Sequence, residues 1–352
     1  INTYTWTGNG FSTAHNLFID ENGYAYICGA NIYNGGVFIL NLNASPVNPP
    51  VVGAYTRAYV HDLFVRGDTM WTAEINNGQF GVVNVSNKAN PQLLALQNTP
   101  GNFAHNVWLS ANGKYLFTTD EISGGVIAAY DVSDLNNISE LGRFQSNPGS
   151  GVIPHNVFWH QDFLVISYYR DGVVIADATY PNNIIQTGAY DTSPLSGNGF
   201  NGCWGVYPYL PSGNILASDI ESGLFVLTPA YVHACFLEGL VSDSTTGLPL
   251  NGVTIELVNQ NITTQSGLDG RYYTGIATAG SYSVRFSKQG YVTRTVPAVP
   301  LTNGNLVTLN VALIPSSTFT LTGTVTDTAN GNGIQGVQIF ITDNISKSWT
   351  AT

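Results

Sequence analysis

Charge is scarce in this 352-residue chain: Asp and Glu number 22, Lys and Arg 11, and together they make up only 9% of the sequence. An average soluble protein carries about a quarter. With a formal net charge of −11 and no cluster of Lys or Arg, no surface suits the phosphates of a nucleic acid. Long solvated helices draw on Glu, Lys, Arg and Ala, so the shortage of these residues excludes a helical protein. Three cysteines are too few for a disulfide scaffold. No apolar run approaches the roughly 18 residues of a membrane span, and no basic amphipathic helix is present. The chain opens on Ile1 and not on Met, which leads to the expectation that any targeting segment has been removed or left out.

What the chain has instead is 38 Gly, 36 Asn and 12% aromatics, 19 of them Tyr. That mixture suits many short strands joined by tight turns. A repeat organises the first two thirds. His15-Asn16-Leu17-Phe18, His61-Asp62-Leu63-Phe64, His105-Asn106-Val107-Trp108 and His155-Asn156-Val157-Phe158 recur at intervals of 46, 44 and 50 residues. A fifth copy, Trp204-Gly205-Val206-Tyr207, has Trp in the His position. Each of the first four copies reads as four short alternating strands, the size of a propeller blade, and the fifth breaks off with no fourth strand of its own. The helical periodicity of a solenoid is absent. The expected fold is all-β: a β-propeller over residues 1–230, with five blades visible. The opening NTYTWTGNGF parallels AYDTSPLSGNGF before the fifth copy, so residues 2–8 are expected to supply the outermost strand of the last blade. The rival expectation is that the five blades belong to a larger propeller with further blades upstream.

The blade motif stops near residue 230. Residues 231–315 read as about seven alternating strands, a small β-sandwich, and residues 316–352 as the start of a second, truncated one. Within the first, Asp269-Gly270 is expected to form a hairpin turn. Gly323-Thr324-Val325-Thr326-Asp327 and Gly333-Ile334-Gln335-Gly336-Val337 repeat the GLVSD and PLNGV segments of the first. Half a sandwich cannot bury its own face, so the natural chain is expected to continue.

Two resemblances accompany these readings. HNLFIDENGYAYICG, AHNVWLSANGKYLFTTDE, PHNVFWHQDFLVISYYRDGVVIAD and WGVYPYLPSGNILASDIESGLFVL resemble the choice-of-anchor B family of LVIVD-repeat propellers over residues 1–230. That resemblance implies export and surface display in bacteria, by way of variable C-terminal anchors, and implies no particular activity. Residues 231–315 resemble the carboxypeptidase regulatory-like (transthyretin-like) module through Gly247-Leu248-Pro249-Leu250, Asp269-Gly270-Arg271-Tyr272, Ala279-Gly280-Ser281-Tyr282 and Gly290-Tyr291. Such modules act as spacers.

One constellation carries candidate chemistry. If each repeat opens the innermost strand of its blade, His15, His61, His105 and His155 converge at one mouth of the central channel. Imidazole ligates divalent transition metals, and Glu74, Asp120, Glu121, Asp219 and Glu221 are candidate partners near the ends of second strands. The other reading of the same repetition is structural: each imidazole bonds the backbone of a neighbouring blade. Cys203 and Cys235 form a candidate disulfide between the domains, with two free thiols as the alternative. No Gly-x-Ser-x-Gly elbow, phosphate loop, CxxC or HExxH motif is present. The expected function is therefore a secreted or cell-surface propeller on a sandwich stalk, acting in binding, adhesion or surface assembly. A surface protein or a glycan is the expected ligand. The alternative is a metal-dependent hydrolase or oxidoreductase using the His ring.

Overall fold

The computed structural model describes residues 10–316, 323–337, 339–342 and 348–351. Its first part is a series of antiparallel sheets, one per repeat. Strands β1 (Asn16–Ile19), β2 (Tyr24–Cys28), β3 (Val37–Asn41) and β4 (Val51–Tyr55) form the first. Strands β5 (Asp62–Arg66), β6 (Thr69–Glu74), β7 (Gln79–Asn84) and β8 (Gln92–Asn98) form the second. The third contains β9 (Ala104–Leu109), β10 (Tyr115–Asp120), β11 (Ile127–Asp131) and β12 (Ser139–Phe144). The fourth contains β13 (Val157–His160), β14 (Phe163–Ser167), β15 (Val173–Asp177) and β16 (Ile185–Tyr190). The fifth has three strands among the described residues, β17 (Cys203–Tyr207), β18 (Ile215–Asp219) and β19 (Gly223–Leu227). The strand expected from residues 2–8 lies outside the described residues. No helix among them is long and apolar enough to cross a membrane.

Successive sheets pack face to face, and this explains why the second and third strands are apolar on both sides. In β10, Leu116 packs toward Phe64 and Val82 of the second sheet, while its neighbour Phe117 packs toward Leu164 and Ile166 of the fourth. In β14, Leu164 and Ile166 turn back to the third sheet, and Phe163 and Val165 forward to Ile215 and Ala217 of the fifth. Alternation places successive side chains on opposite faces. Each fully buried Leu, Val or Phe contributes about 1.5–3 kcal/mol through the water it sheds.

Every four-stranded sheet also has the same irregularity between its third and fourth strands. The register shifts at Ile39/Leu40, Val82/Val83, Ala129/Tyr130 and Ile175/Ala176. Such a bulge bends the outer strand and increases its twist. In the first and third sheets a glycine at the bulge lets the next sheet's loop approach: a Cβ on Gly53 would stand 1.7 Å from the Lys88 carbonyl oxygen, and one on Gly142 2.7 Å from that of Pro181.

The second part is a sandwich. One sheet orders β23 (Arg271–Ile276), β20 (Cys235–Asp243) and β26 (Leu306–Thr308), with β27 (Val311–Leu313) also paired to β20. The other orders β22 (Ile262–Gln265), β21 (Thr254–Leu257), β24 (Gly280–Ser287) and β25 (Arg294–Leu301). Leu237, Val241, Ile255, Tyr272, Val284 and Phe286 fill the space between. The Asp269-Gly270 turn is not a hairpin: it carries the chain from β22 in one sheet to β23 in the other. A Cβ on Gly270 would lie 2.6 Å from the Val241 carbonyl, so the crossing is tight. Further on, Asp327, Gly331 and Ile334 repeat the backbone bonds of Asp243, Gly247 and Leu250. Strands β28 (Ile339–Thr342) and β29 (Ser348–Ala351) then pair as a hairpin.

The two parts are joined by polar bonds. Asp177, fully buried, accepts from the Ala234 amide at 2.8 Å and from His233 Nδ1 at 3.0 Å. Asn183 donates to the Thr274 carbonyl at 2.9 Å. Cys203 and Cys235 are separate free thiols, which corrects the expected disulfide: the first packs in the core between the fourth and fifth sheets and the second in the sandwich core.

Two glycines at equivalent places should respond differently. Gly53→Ala forces a backbone carbonyl to move and is expected to lower stability by about 1–3 kcal/mol. Gly188→Ala meets nothing nearer than Ile175 side-chain atoms at 3.7 Å and should stay within about 0.5 kcal/mol of the parent in chemical denaturation.

Candidate functional site

The repeat places His15, His61, His105 and His155 at or just before the start of the innermost strands, and the structure brings them together around one axis. Neighbouring rings lie 3.8, 4.2 and 4.4 Å apart, centroid to centroid. Each Nδ1 donates to the carbonyl of the next histidine: His15 to His61 at 2.8 Å, His61 to His105 at 3.1 Å, His105 to His155 at 3.0 Å. A carbonyl only accepts, so Nδ1 carries the proton in each of the three donors and Nε2 is left with its lone pair. His155 comes last of the four, its buried Nδ1 turned toward the backbone of Trp204 without a close bond. Beyond it stands Trp204, half-exposed, its ring 5.6 Å from that of His155. The small space beside His15 depends on Gly29, where a Cβ would meet the His15 Cβ at 2.4 Å.

One residue deeper lies a layer of amides around a carboxylate. The Asp62 carboxylate accepts from Asn16 Nδ2 at 3.0 Å, Asn106 Nδ2 at 2.8 Å and the Leu63 amide at 2.7 Å. Burial raises its pKa to about 6, against the opposing effect of these donors. Asn106 Oδ1 accepts from the Val157 amide, while the buried Asn156 Oδ1 has no partner. Two residues further along the strands, Phe18, Phe64, Trp108 and Phe158 form an aromatic layer with Tyr209, with ring centroids 4.6–6.2 Å apart. Imidazole, amide and aromatic thus repeat the order of the sequence motif along the channel.

Two cavities open on these layers. One of about 540 Å³ is lined by His15, Asn16, Asp62, His105, His155 and Trp204, among others. Another, of about 450 Å³, reaches from Asn16 and Asp62 to Trp108, Phe158 and Tyr209. Burial drives the imidazoles toward the neutral form: the pKa of His61 falls to about 4 and that of His155 to about 3, and that of His105 is also well below the usual range.

The expected carboxylate partners separate sharply. Glu121 lies against the imidazoles, with Oε2 3.5 Å from His105 Nε2 and Oε1 3.9 Å from His155 Nε2. Tyr169, at the corresponding place of the next sheet, donates its hydroxyl to Glu121 Oε1 at 2.6 Å. The others serve the scaffold. Glu74 is held by Arg57, Tyr55, Asn77 and Gln79. Asp120 accepts from Thr99, Gly101 and Phe103. Asp219 accepts from Thr192, Glu221 and Ser222, and Glu221 from Asn201 and Gly202. Their oxygens are occupied by loop amides and hydroxyls, so they are corrected from channel ligands to loop anchors. His15 and His61 likewise fall outside the group of ligand atoms that come together, which among the described residues consists of His105, Glu121 and His155.

Comparison with known proteins adds the following. A model of the carboxypeptidase regulatory-like domain matches residues 237–314. No curated protein matches the chain. Among solved structures, a candidate 6-phosphogluconolactonase from Bacteroides uniformis superposes with a TM-score of 0.50 at 14% identity, covering 83% of this chain and 89% of that one. A periplasmic gluconolactonase of Pseudomonas aeruginosa gives 0.48 at 14% identity, over 74% and 72% of the two chains. A protein from Lactobacillus plantarum gives 0.48 at 12% identity, over 82% and 86%. The first of these likenesses supports the propeller fold and, at this identity, nothing about activity.

The imidazoles set a direction for pH dependence. His61, His105 and His155 have folded pKa values below the ordinary 6.5, so their contribution is complete above about pH 6.5 and is lost as the pH falls toward their folded values. Asp62 acts in the opposite sense, its stabilising effect being present below about pH 4 and lost as the pH rises through about 6. Glu121, whose pKa burial also raises, acts in the same sense as Asp62. With three imidazoles against two carboxylates at the site, denaturation in chelator-treated buffer should show stability falling between pH 6.5 and 4. His155→Asn should flatten that slope.

Proposed function

We propose that the chain is a ligand-capturing propeller head on a sandwich stalk, exported and displayed at a cell surface, and that its ligand is a glycan. The observation that carries this reading is Trp204. It is 53% exposed at the rim of a cavity that also presents Asn16, Asp62 and Asn156. An aromatic plane beside amide and carboxylate groups offers a sugar ring a stacking surface and directional hydrogen bonds at once. The match of the sandwich to a carboxypeptidase regulatory-like domain supports the stalk, and the polar junction at Asp177 and Asn183 supports a head held firmly upon it.

The resemblance to choice-of-anchor B propellers supports export, as does the scarcity of Lys among abundant Asn. The five sheets are read as an arc of a larger propeller. This is supported by the apolar side chains left exposed at its two ends, Leu17 and Ile19 on β1 and Tyr207, Leu224 and Val226 on the fifth sheet. Adhesion or incorporation in a larger surface assembly is the role such a molecule would serve.

Binding to a panel of immobilised mono- and oligosaccharides tests the reading. At least one saccharide class should be retained, and Trp204→Ala should weaken retention about tenfold or more, as loss of a central aromatic anchor does. Failure to retain any saccharide, or retention indifferent to Trp204, would overturn it.

A further inference from the structure

We propose that His105, His155 and Glu121 bind one divalent first-row transition metal ion, zinc by default, at the imidazole mouth of the channel. This site does not depend on the glycan reading.

Three observations lead to it. The first is spacing. The ligand atoms of the three residues all lie within 4.8 Å of one another, with the carboxylate oxygens 3.5 and 3.9 Å from the two Nε2 atoms. An ion about 2.0–2.2 Å from each ligand holds its ligands roughly 3–4 Å apart. The second is the proton inventory. Because His105 spends its Nδ1 proton on the His155 carbonyl, its Nε2 faces the carboxylate as a second acceptor with no hydrogen between them. Two acceptors directed at each other in a buried place repel, and a cation between them reverses the sign of the interaction.

The third is support around the ligands. His105 lies in β9, Glu121 directly follows β10, and His155 stands two residues before β13 with its amide bonded to the Ser167 carbonyl of β14, so all three are anchored to the sheets. The Tyr169 hydroxyl fixes one oxygen of the carboxylate, the kind of outer contact that orients a ligand toward its metal. His105 and His155 are only 2% and 8% exposed, yet both line the 540 Å³ cavity, so a fourth position stays open to water or a small ligand. Nitrogen ligands select a transition ion over calcium or magnesium, which prefer oxygen. Histidines 15 and 61 stay outside the coordination set as structural donors.

The test uses the whole chain, stripped with a chelator and titrated with zinc against a chromophoric competitor, then with cobalt followed by its visible absorption. One equivalent should bind with a dissociation constant below a micromolar, and cobalt should give the spectrum of a nitrogen–oxygen site. Glu121→Gln, which keeps the shape of the side chain, should weaken zinc binding at least tenfold. Tyr169→Phe should weaken it several-fold, while removal of a remote imidazole by His160→Ala should leave it unchanged. Absence of saturable binding by the unaltered chain would overturn the proposal, and that result needs no variant to fold. One-equivalent binding that survives Glu121→Gln undiminished would also overturn it.

Discussion

The inner wall of the propeller depends on a single hydrogen bond used three times: an imidazole Nδ1 of one sheet donating to the carbonyl of the equivalent histidine in the next. It sets the distance between neighbouring inner strands and brings the rings into tilted contact. It also fixes which nitrogen keeps a proton. The amide and aromatic layers follow in register because a strand that is held at its first residue can offer its second and fourth only at set heights. Desolvation is the cost of this arrangement, and it is why His61, His105 and His155 stay neutral.

Much of this was legible in the sequence. The recurrence of His-Asn-x-aromatic pointed to convergence on an axis, and the axis is there. The repetition left two readings open, ligand and peg. Three of the four histidines are pegs through Nδ1, and His105 is placed to be a ligand as well through Nε2. What the sequence did not reveal was the fate of the carboxylates. Asp120 and Glu121 are adjacent, and alternation allowed only one of them to face the channel; which one depends on where Thr99, Gly101 and Phe103 fall, in a loop twenty residues upstream. Tyr169 was missed for a related reason. It occupies the place in the fourth repeat that Glu121 occupies in the third and Ile75 in the second, a correspondence visible only when the copies are aligned by position and not by residue type.

The sandwich shows the same limit. Asp269-Gly270 has the composition of a hairpin turn, but the pattern of a turn does not say whether the next strand returns to the same sheet. Cys203 and Cys235 looked available to one another because they flank the junction in sequence. Each belongs to a different apolar core, and the junction is held by Asp177 and Asn183 instead. A buried carboxylate that accepts a backbone amide across a domain boundary has no local sequence signature.

The donors of the inner wall all reach forward along the chain, and what each requires from its neighbour is a main-chain oxygen, which any residue supplies. A repeat therefore brings its own fastener and makes no demand on the identity of the side chain it fastens to. Duplicating or deleting one unit leaves every remaining imidazole–carbonyl joint chemically intact. Blade number is thus free to vary during evolution without redesign of the wall, and a unit such as the fifth, with Trp204 where the fastener would be, is released to take on other work.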